Sequence, residues 1–289
     1  MLSGSIVALV TPWKDGAIDA DAVRRMVEHQ VANGTGALLP CGTTGESPAF
    51  THAEQAEMIG LTVEAAAGRV PVLAGAGSNC TAEAVDLAVK AEEAGADAVL
   101  TIVPYYNKPN QEGIFQHFRA VAESCGLPLM LYNVPGRTGT NLLPETAARV
   151  AEIGNVVGVK EASGDLQQAW QLLRLGVDVY SGEDNLTFPL LCLGARGTVS
   201  VVANFAPRLI ADLCAAVAAR DLDRARELQA AVCELWAVAF CETNPIPAKT
   251  AMAALGFCTE EFRLPLVPMT EAGKQRLLAT MRTHDLLAK

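Results

Sequence analysis

The sequence predicts an α/β fold, a closed (β/α)8 TIM barrel with a helical extension at its C-terminal end. Three observations predict it. Short β-branched apolar runs alternate with longer helical patterns eight times along the chain. These runs are continuously apolar rather than alternating, as parallel strands buried on both faces are. The length, 289 residues, suits eight such units closed into one barrel. An open doubly wound sheet is the competing arrangement. It fits less well, because no GxGxxG follows the first strand and "GAGSN" at 75–79 is too short a match.

The units follow in order. The first strand is expected over Ile6–Val10. A helix capped by Asp19 or Asp21 carries Val23, Met26, Val27 and Val31 on one face, and Asn33-Gly34 ends it. "ALLP" (37–40) precedes a helix from Thr51 to about Ala67, and "VPVLAG" (70–75) one from Thr81 to Ala94, stopped by Gly95. "DAVLTIVP" (97–104) leads to a helix around Ile114–Cys125, and "LPLMLYNVP" (127–135) to one starting near Pro144. "NVVGVKEA" (155–162) precedes a helix over Asp165–Leu175, and "VDVYSG" (177–182) the stretch Leu186–Leu193. "GTVSVVA" (197–203) precedes a helix over Pro207–Ala219. The barrel is expected to occupy 1–220. The remainder, 221–289, reads as helices near 221–241, 245–255 and 270–286, a region suited to assembly.

Hydrophobic residues make up 51% of the chain and charged ones 19%, enough apolar material for a large core. The formal net charge of −10 repels phosphate backbones, so nucleic acid is not an expected partner. No run of about 18 apolar residues marks a membrane span. "MLSGSIVALVTPW" lacks a basic start and reads as a first strand rather than a signal peptide. The eight cysteines form no CxxC pair, which suits reduced thiols in a cytoplasmic protein. The four histidines form no metal-binding motif, so no metal is expected.

In a barrel, reactive groups gather at the C-terminal ends of the strands. There the sequence places "PCGTTGES" (40–47), "PYYNKP" (104–109), "YNVPGRTG" (132–139), "KEASG" (160–164) and "SGED" (181–184), with Val199 and Ser200 on strand eight. Lys160 is the candidate nucleophile. An amine attacks a carbonyl only when neutral, and an apolar setting favours the neutral form. The product, a Schiff base, withdraws electrons and lets a neighbouring carbon lose a proton. A strand-end lysine is ordinarily ion-paired or turned to solvent, but adjacent strand residues face opposite ways, so Glu161 should point away from it. Tyr132, on the neighbouring strand, could supply a phenol or simply fill the barrel mouth. Thr43 and Thr44 sit in a glycine-flanked loop whose amides and hydroxyls could hold a carboxylate, or in an ordinary turn. Arg137 suits bidentate carboxylate binding or a surface salt bridge. Tyr105-Tyr106 suits packing, a rim or an interface.

Taken together, these residues resemble the dihydrodipicolinate synthase family of pyruvate-dependent class I aldolases. The resemblance runs through "GSIVALVTP" (4–12), "GTTGES" (42–47), "PYYNKPNQEG" (104–113), "YNVPGRTG" (132–139), "GVKEASGD" (158–165) and "NPIPAKTAMAALG" (244–256), nearly the whole chain. It implies a TIM barrel with a C-terminal helical region. It also implies a lyase of diaminopimelate and lysine biosynthesis that needs no cofactor beyond a covalent imine between Lys160 and pyruvate. The resulting enamine would attack L-aspartate 4-semialdehyde to give 4-hydroxy-tetrahydrodipicolinate. Thr43, Tyr132 and Tyr106 match the family's proton relay, with Tyr106 donated across a dimer interface. Thr44 and the backbone at Val199 match pyruvate-carboxylate contacts, and Arg137 the arginine that receives the semialdehyde carboxylate. N-acetylneuraminate lyases keep the lysine and tyrosine but lack that arginine, so the resemblance favours the synthase over sugar-acid lyases; another pyruvate-dependent 2-keto-acid aldolase is the nearest alternative. A homotetramer, a dimer of tight dimers, is implied. Ser47, His52, Asn79, Glu83 and Tyr105 match an allosteric lysine site. There, however, Pro48 stands where alanine is common, and Gln55 where strongly inhibited members carry histidine, so weak or absent feedback is expected.

Two readings from other classes stand against this one. A catalytically silent barrel that binds a small acid or a partner would have to keep Lys160, Tyr132, Thr43 and Arg137 without using them. A metal-dependent aldolase is the other, and continued turnover in excess chelator would exclude it.

Overall fold

The structure, a computed structural model, describes residues 2–287. Its barrel strands are β1 (Gly4–Ala8), β2 (Ala37–Leu39), β3 (Leu73–Gly75), β4 (Ala98–Ile102), β5 (Leu129–Asn133), β6 (Val156–Glu161), β7 (Val179–Ser181) and β8 (Gly197–Ser200). The helices that follow them are α1 (Ala20–Ala32), α2 (His52–Ala66), α3 (Thr81–Glu93), α4 (Gln111–Ser124), α5 (Pro144–Ala151), α6 (Leu166–Arg174), α7 (Thr187–Leu193) and α8 (Pro207–Ala218). All pairs between barrel strands are parallel, and β8 pairs back onto β1. The ring closes between β2 and β3 through a parallel bridge from Leu38 to Val72, reinforced by the Leu38 N–H donating to the Pro71 carbonyl at 3.0 Å. This is the expected TIM barrel.

The two faces of the strands build two cores. Ile6, Ala8, Leu39, Leu73, Leu100, Met130, Tyr180 and Val199 fill the barrel interior. Val7, Leu38, Val99, Leu129, Leu131, Val159 and Val179 pack outward against the helices. Both sets are buried, which is why the strands read as unbroken apolar runs. Local chemistry sets the helix starts. The Asp19 carboxylate accepts the Ala22 N–H at 2.9 Å, and Thr51 with Glu54 forms a capping box.

Several boundaries differ from expectation. β1 covers Gly4–Ala8 rather than 6–10. α4 begins at Gln111, where the Asn110 side chain accepts the Gly113 N–H at 2.9 Å. A short helix, Pro135–Thr138, and a hairpin pairing Trp13–Lys14 with Ala17–Ile18 were not anticipated. Asp15 and Gly16 turn that hairpin with φ of 53° and 79°, the left-handed geometry of tight hairpin turns.

The C-terminal helices are α9 (Leu222–Ala239), α10 (Ile246–Ala254) and α11 (Glu271–Thr283). α9 packs along α8, and α11 packs on both α9 and α10. The stretch 244–263 turns back over the barrel mouth. The Glu261 carboxylate accepts the Asp15 and Gly16 N–H groups at 2.9 and 2.8 Å. The Arg263 guanidinium lies 3.7 Å from the Trp13 ring centroid and bonds the Glu54 carboxylate. Among the described residues, no helix is long and apolar enough to cross a membrane.

Candidate active site

Simple alternation from the start of β6 would aim Lys160 out of the barrel. Val156 packs outward, so residues 158 and 160 would face outward too. The register with β5 slips instead: Leu129 pairs with Val156, but Met130 pairs with Gly158. That one-residue bulge turns Val159 outward and Lys160 inward, opposite Tyr132 on β5 and Tyr180 on β7. Only glycine suits the bulge. Gly158 has φ +143°, and a Cβ there would lie 2.5 Å from the Asp178 carbonyl oxygen.

Lys160 is 6% exposed, and its Nζ sits 4.1 Å from the Tyr132 ring centroid. Burial pulls its pKa down to about 8, with Glu183 and Asp184 acting against the shift. A useful neutral fraction therefore exists near neutral pH. Glu161 faces the other way, as expected. It accepts from Asn133 Nδ2 at 3.0 Å, Gln168 Nε2 at 3.0 Å and the Ser163 N–H at 2.7 Å. It is therefore not the lysine's partner.

Burial pushes the Tyr132 phenol up to about 12; the Arg137 charge and the Thr43 hydroxyl pull the other way. The group stays a phenol at neutral pH and can donate a proton. Thr44 is buried, and its hydroxyl accepts from Asn244 Nδ2 at 3.0 Å. The Asn244 carbonyl in turn accepts from Arg137 at 3.2 Å. Arg137 stands on the short Pro135–Thr138 helix, which ends at Gly139 with φ +71°. Val199 lies inside the barrel on β8, paired with Ile6.

A cavity of about 370 Å³ opens at the mouth. Thr43, Tyr132 and Arg137 line it, and so do Ser47, His52, Glu83 and Tyr105. The catalytic and allosteric candidates thus share one space. Lys160, Thr44, Val199 and Asn79 do not line it: Lys160 lies against the Tyr132 ring, and the Asn79 carbonyl accepts from Asn107 Nδ2 at 2.8 Å. Gln55 lines the cavity with its amide donating to the Gly75 carbonyl at 2.7 Å. Tyr106 is not brought to Lys160 within this chain: it is 88% exposed, with φ +72°.

Sequence reasoning assigned no role to Glu183, Asp184, Glu46, Asn244 or Lys249. Asp184 is buried, accepts the Val201 and Val202 N–H groups at 3.0 and 3.1 Å, and bonds Ser200. Burial raises the pKa of both Asp184 and Glu183. A buried lysine in an alanine-rich helix was a visible signal at Lys249, since such a charge needs a partner. Among the described residues, no cluster of three or more His, Cys, Asp or Glu could hold a metal ion.

A barrel with a desolvated lysine set into its mouth is an enzyme architecture. The family model described as the dihydrodipicolinate synthetase family matches residues 1–284, and the chain belongs to that family. The 4-hydroxy-tetrahydrodipicolinate synthases of Pelobacter propionicus and Geobacter sulfurreducens are each 50% identical to it over 290 residues, covering 99% of this chain and all of theirs. The crystal structure of dihydrodipicolinate synthase from Aquifex aeolicus superposes with a TM-score of 0.97 at 43% identity, covering 99% of both chains.

Proposed function

We propose that this chain is a lyase, a 4-hydroxy-tetrahydrodipicolinate synthase that joins pyruvate to L-aspartate 4-semialdehyde. The carrying observation is Lys160, whose buried amine has a pKa near 8 and lies on the ring of Tyr132. The neutral amine adds to the pyruvate ketone, and loss of water gives the iminium. The iminium loses a methyl proton and becomes an enamine. Its carbon attacks the aldehyde, whose oxygen takes up a proton. The acceptor's own amino group then displaces Lys160, closing the ring and releasing the amine. Tyr132 and Thr43 carry protons in these steps, Thr44 and the Val199 backbone hold the pyruvate carboxylate, and Arg137 receives the acceptor's carboxylate.

The working unit in this reading is a homotetramer built as a dimer of dimers, in which Tyr106 serves the neighbouring subunit. The exposure of Tyr106 supports it, because a large aromatic ring is costly to leave in water. A cytoplasmic location is supported by eight cysteines that are all unpaired.

Borohydride reduction in the presence of pyruvate tests the mechanism. The expected result is one pyruvate-derived adduct on Lys160, read by peptide mass spectrometry. An unchanged mass, or an adduct on another lysine, overturns it. A coupled assay comparing L-aspartate 4-semialdehyde with other aldehydes tests the acceptor, and turnover preferring another aldehyde would favour a related 2-keto-acid aldolase. Turnover is expected to continue in excess chelator.

A further inference from the structure

A second buried lysine lies outside the reacting centre. Lys249, on α10, has its ammonium wholly buried and ion-paired with Glu46, which is buried as well. The same ammonium donates to the Glu261 carbonyl at 2.8 Å and lies 4.7 Å from the Phe262 ring centroid. Burial lowers the Lys249 pKa, and the Glu46 charge acts against that. Desolvating two charges offsets most of their attraction, so an apolar pair of similar size stabilises a fold as well or better. An ion pair supplies something an apolar pair does not: it holds one carboxylate at one point.

The location of Glu46 gives that point a use. Glu46 closes the turn that carries Thr43 and Thr44, in a left-handed conformation with φ +59°. Other contacts fix the same turn: the Thr11 hydroxyl donates to the Gly45 carbonyl at 2.7 Å, and a Cβ on Gly45 would lie 3.0 Å from the Cys41 nitrogen. The C-terminal stretch reaches it twice, through Asn244 on the Thr44 hydroxyl and through Lys249 on Glu46. The Asn244 carbonyl also accepts from Arg137. One C-terminal segment thus touches the three side chains that would handle the two substrates' carboxylates and the Tyr132 proton, or the turn that carries them.

We infer that the Lys249–Glu46 pair is a positioning device. It ties the C-terminal region to the Gly42–Ser47 turn and so sets the directions of the Thr43 and Thr44 hydroxyls. Neither member touches a reacting atom. The inference rests on the pyruvate–Lys160 reading, which trapping of the wild-type protein tests separately.

The experiment uses the full chain carrying Glu46→Leu with Lys249→Met, an apolar pair of similar size, and, separately, Glu46→Gln, which keeps the shape. Melting temperature, the fraction of subunits trappable by pyruvate and borohydride, and kcat and KM for pyruvate are measured on each. The expected result is a folded protein that is trapped as completely as wild type but has a kcat/KM lower by about 100-fold, the scale of a reacting group displaced by about 1 Å. A purely structural pair predicts otherwise: activity would fall only as far as the trappable fraction falls, with KM unchanged. That result, or a kcat/KM within about threefold of wild type, overturns the inference. If the double variant does not fold, Glu46→Gln decides by the same criteria. Wild-type protein that pyruvate does not trap at Lys160 overturns the functional reading and the inference together.

Discussion

The two rim loops that carry the expected proton relay are built differently. The loop after β2, Cys41–Phe50, has left-handed residues at Cys41 and Glu46, with φ of 56° and 59°. A buried ion pair, the Asn244 amide and the Thr11 hydroxyl hold it from within the chain. The loop after β4, Tyr105–Pro109, has left-handed residues at Tyr106 and Lys108, with φ of 72° and 47°. Its ties are few: the Tyr106 N–H to the Thr138 carbonyl at 3.4 Å and the Asn107 side chain to the Asn79 carbonyl. Left-handed backbone at non-glycine residues costs energy and persists where the surroundings over-determine it. The first loop finds those surroundings within its own chain. The second does not, which supports completion by a neighbouring subunit.

Both loops are expected to serve one target, Lys160, so the largest effect should come from turning that target away. Gly158→Ala places a methyl group against the Asp178 carbonyl, at the bulge that aims Lys160 inward, and is expected to undo that bulge. The expected cost is about 2 kcal/mol or more of stability. The trappable imine and the activity should be lost as well, by about 1,000-fold or more. A Gly158→Ala protein that is trapped at the wild-type rate would show that the bulge does not aim the lysine.

The next effect separates the loops. Thr43→Val and Tyr106→Phe should each lower kcat by about 100-fold, the range of a lost proton-transfer group. Only Tyr106 is expected to act across subunits. Mixing impaired Tyr106→Phe with impaired Tyr132→Phe, under conditions that allow subunit exchange, should raise activity above that of either variant alone. Mixing Thr43→Val with Tyr132→Phe should restore none, because both residues would act within their own chain's site, so every site in a mixed dimer keeps one defect. Recovery in the second mixture, or none in the first, would break the distinction.

A smaller effect comes from pH. The Lys160 pKa is lowered, so the reactive neutral amine gains population as pH rises toward about 8. Below that value the rate of pyruvate trapping should rise about tenfold per pH unit, then level off above it. A pH-independent rate between 6 and 8 would mean that the lysine is not the titrating nucleophile.

Much of this was legible in the sequence, for identifiable reasons. The eight strands stood out because burial on both faces leaves continuous apolar runs, as in Leu129–Leu131. Lys160 stood out because a cation interrupts such a run. The hairpin at Trp13–Ile18 was missed because each strand has only two residues, although Asp15-Gly16 marks its turn. Gly158 within a strand was a bulge signal, but the resulting change of face depends on pairing with β5, which no local pattern encodes. The Glu46–Lys249 pair joins residues 203 positions apart and left no mark at either end beyond a lysine in an apolar helix.

The smallest effect concerns lysine as an effector, where the well-held loop meets the shared cavity. Ser47, His52, Glu83 and Tyr105 face that cavity, so most of the expected effector contacts are present. Gln55 also faces it, but its amide donates to the Gly75 carbonyl and carries no charge. A protonated histidine there would offer an effector carboxylate a charge-assisted bond, roughly twice as strong as a neutral one. Its absence is expected to weaken any lysine binding here without removing the pocket. Inhibition by lysine is therefore expected to be weak or undetectable in steady-state assays, and Gln55→His is expected to strengthen it. Half-maximal inhibition of the wild-type protein at sub-millimolar lysine would show that the remaining contacts suffice. Gln55→His that leaves inhibition unchanged would show that the charge at this position does not set the response.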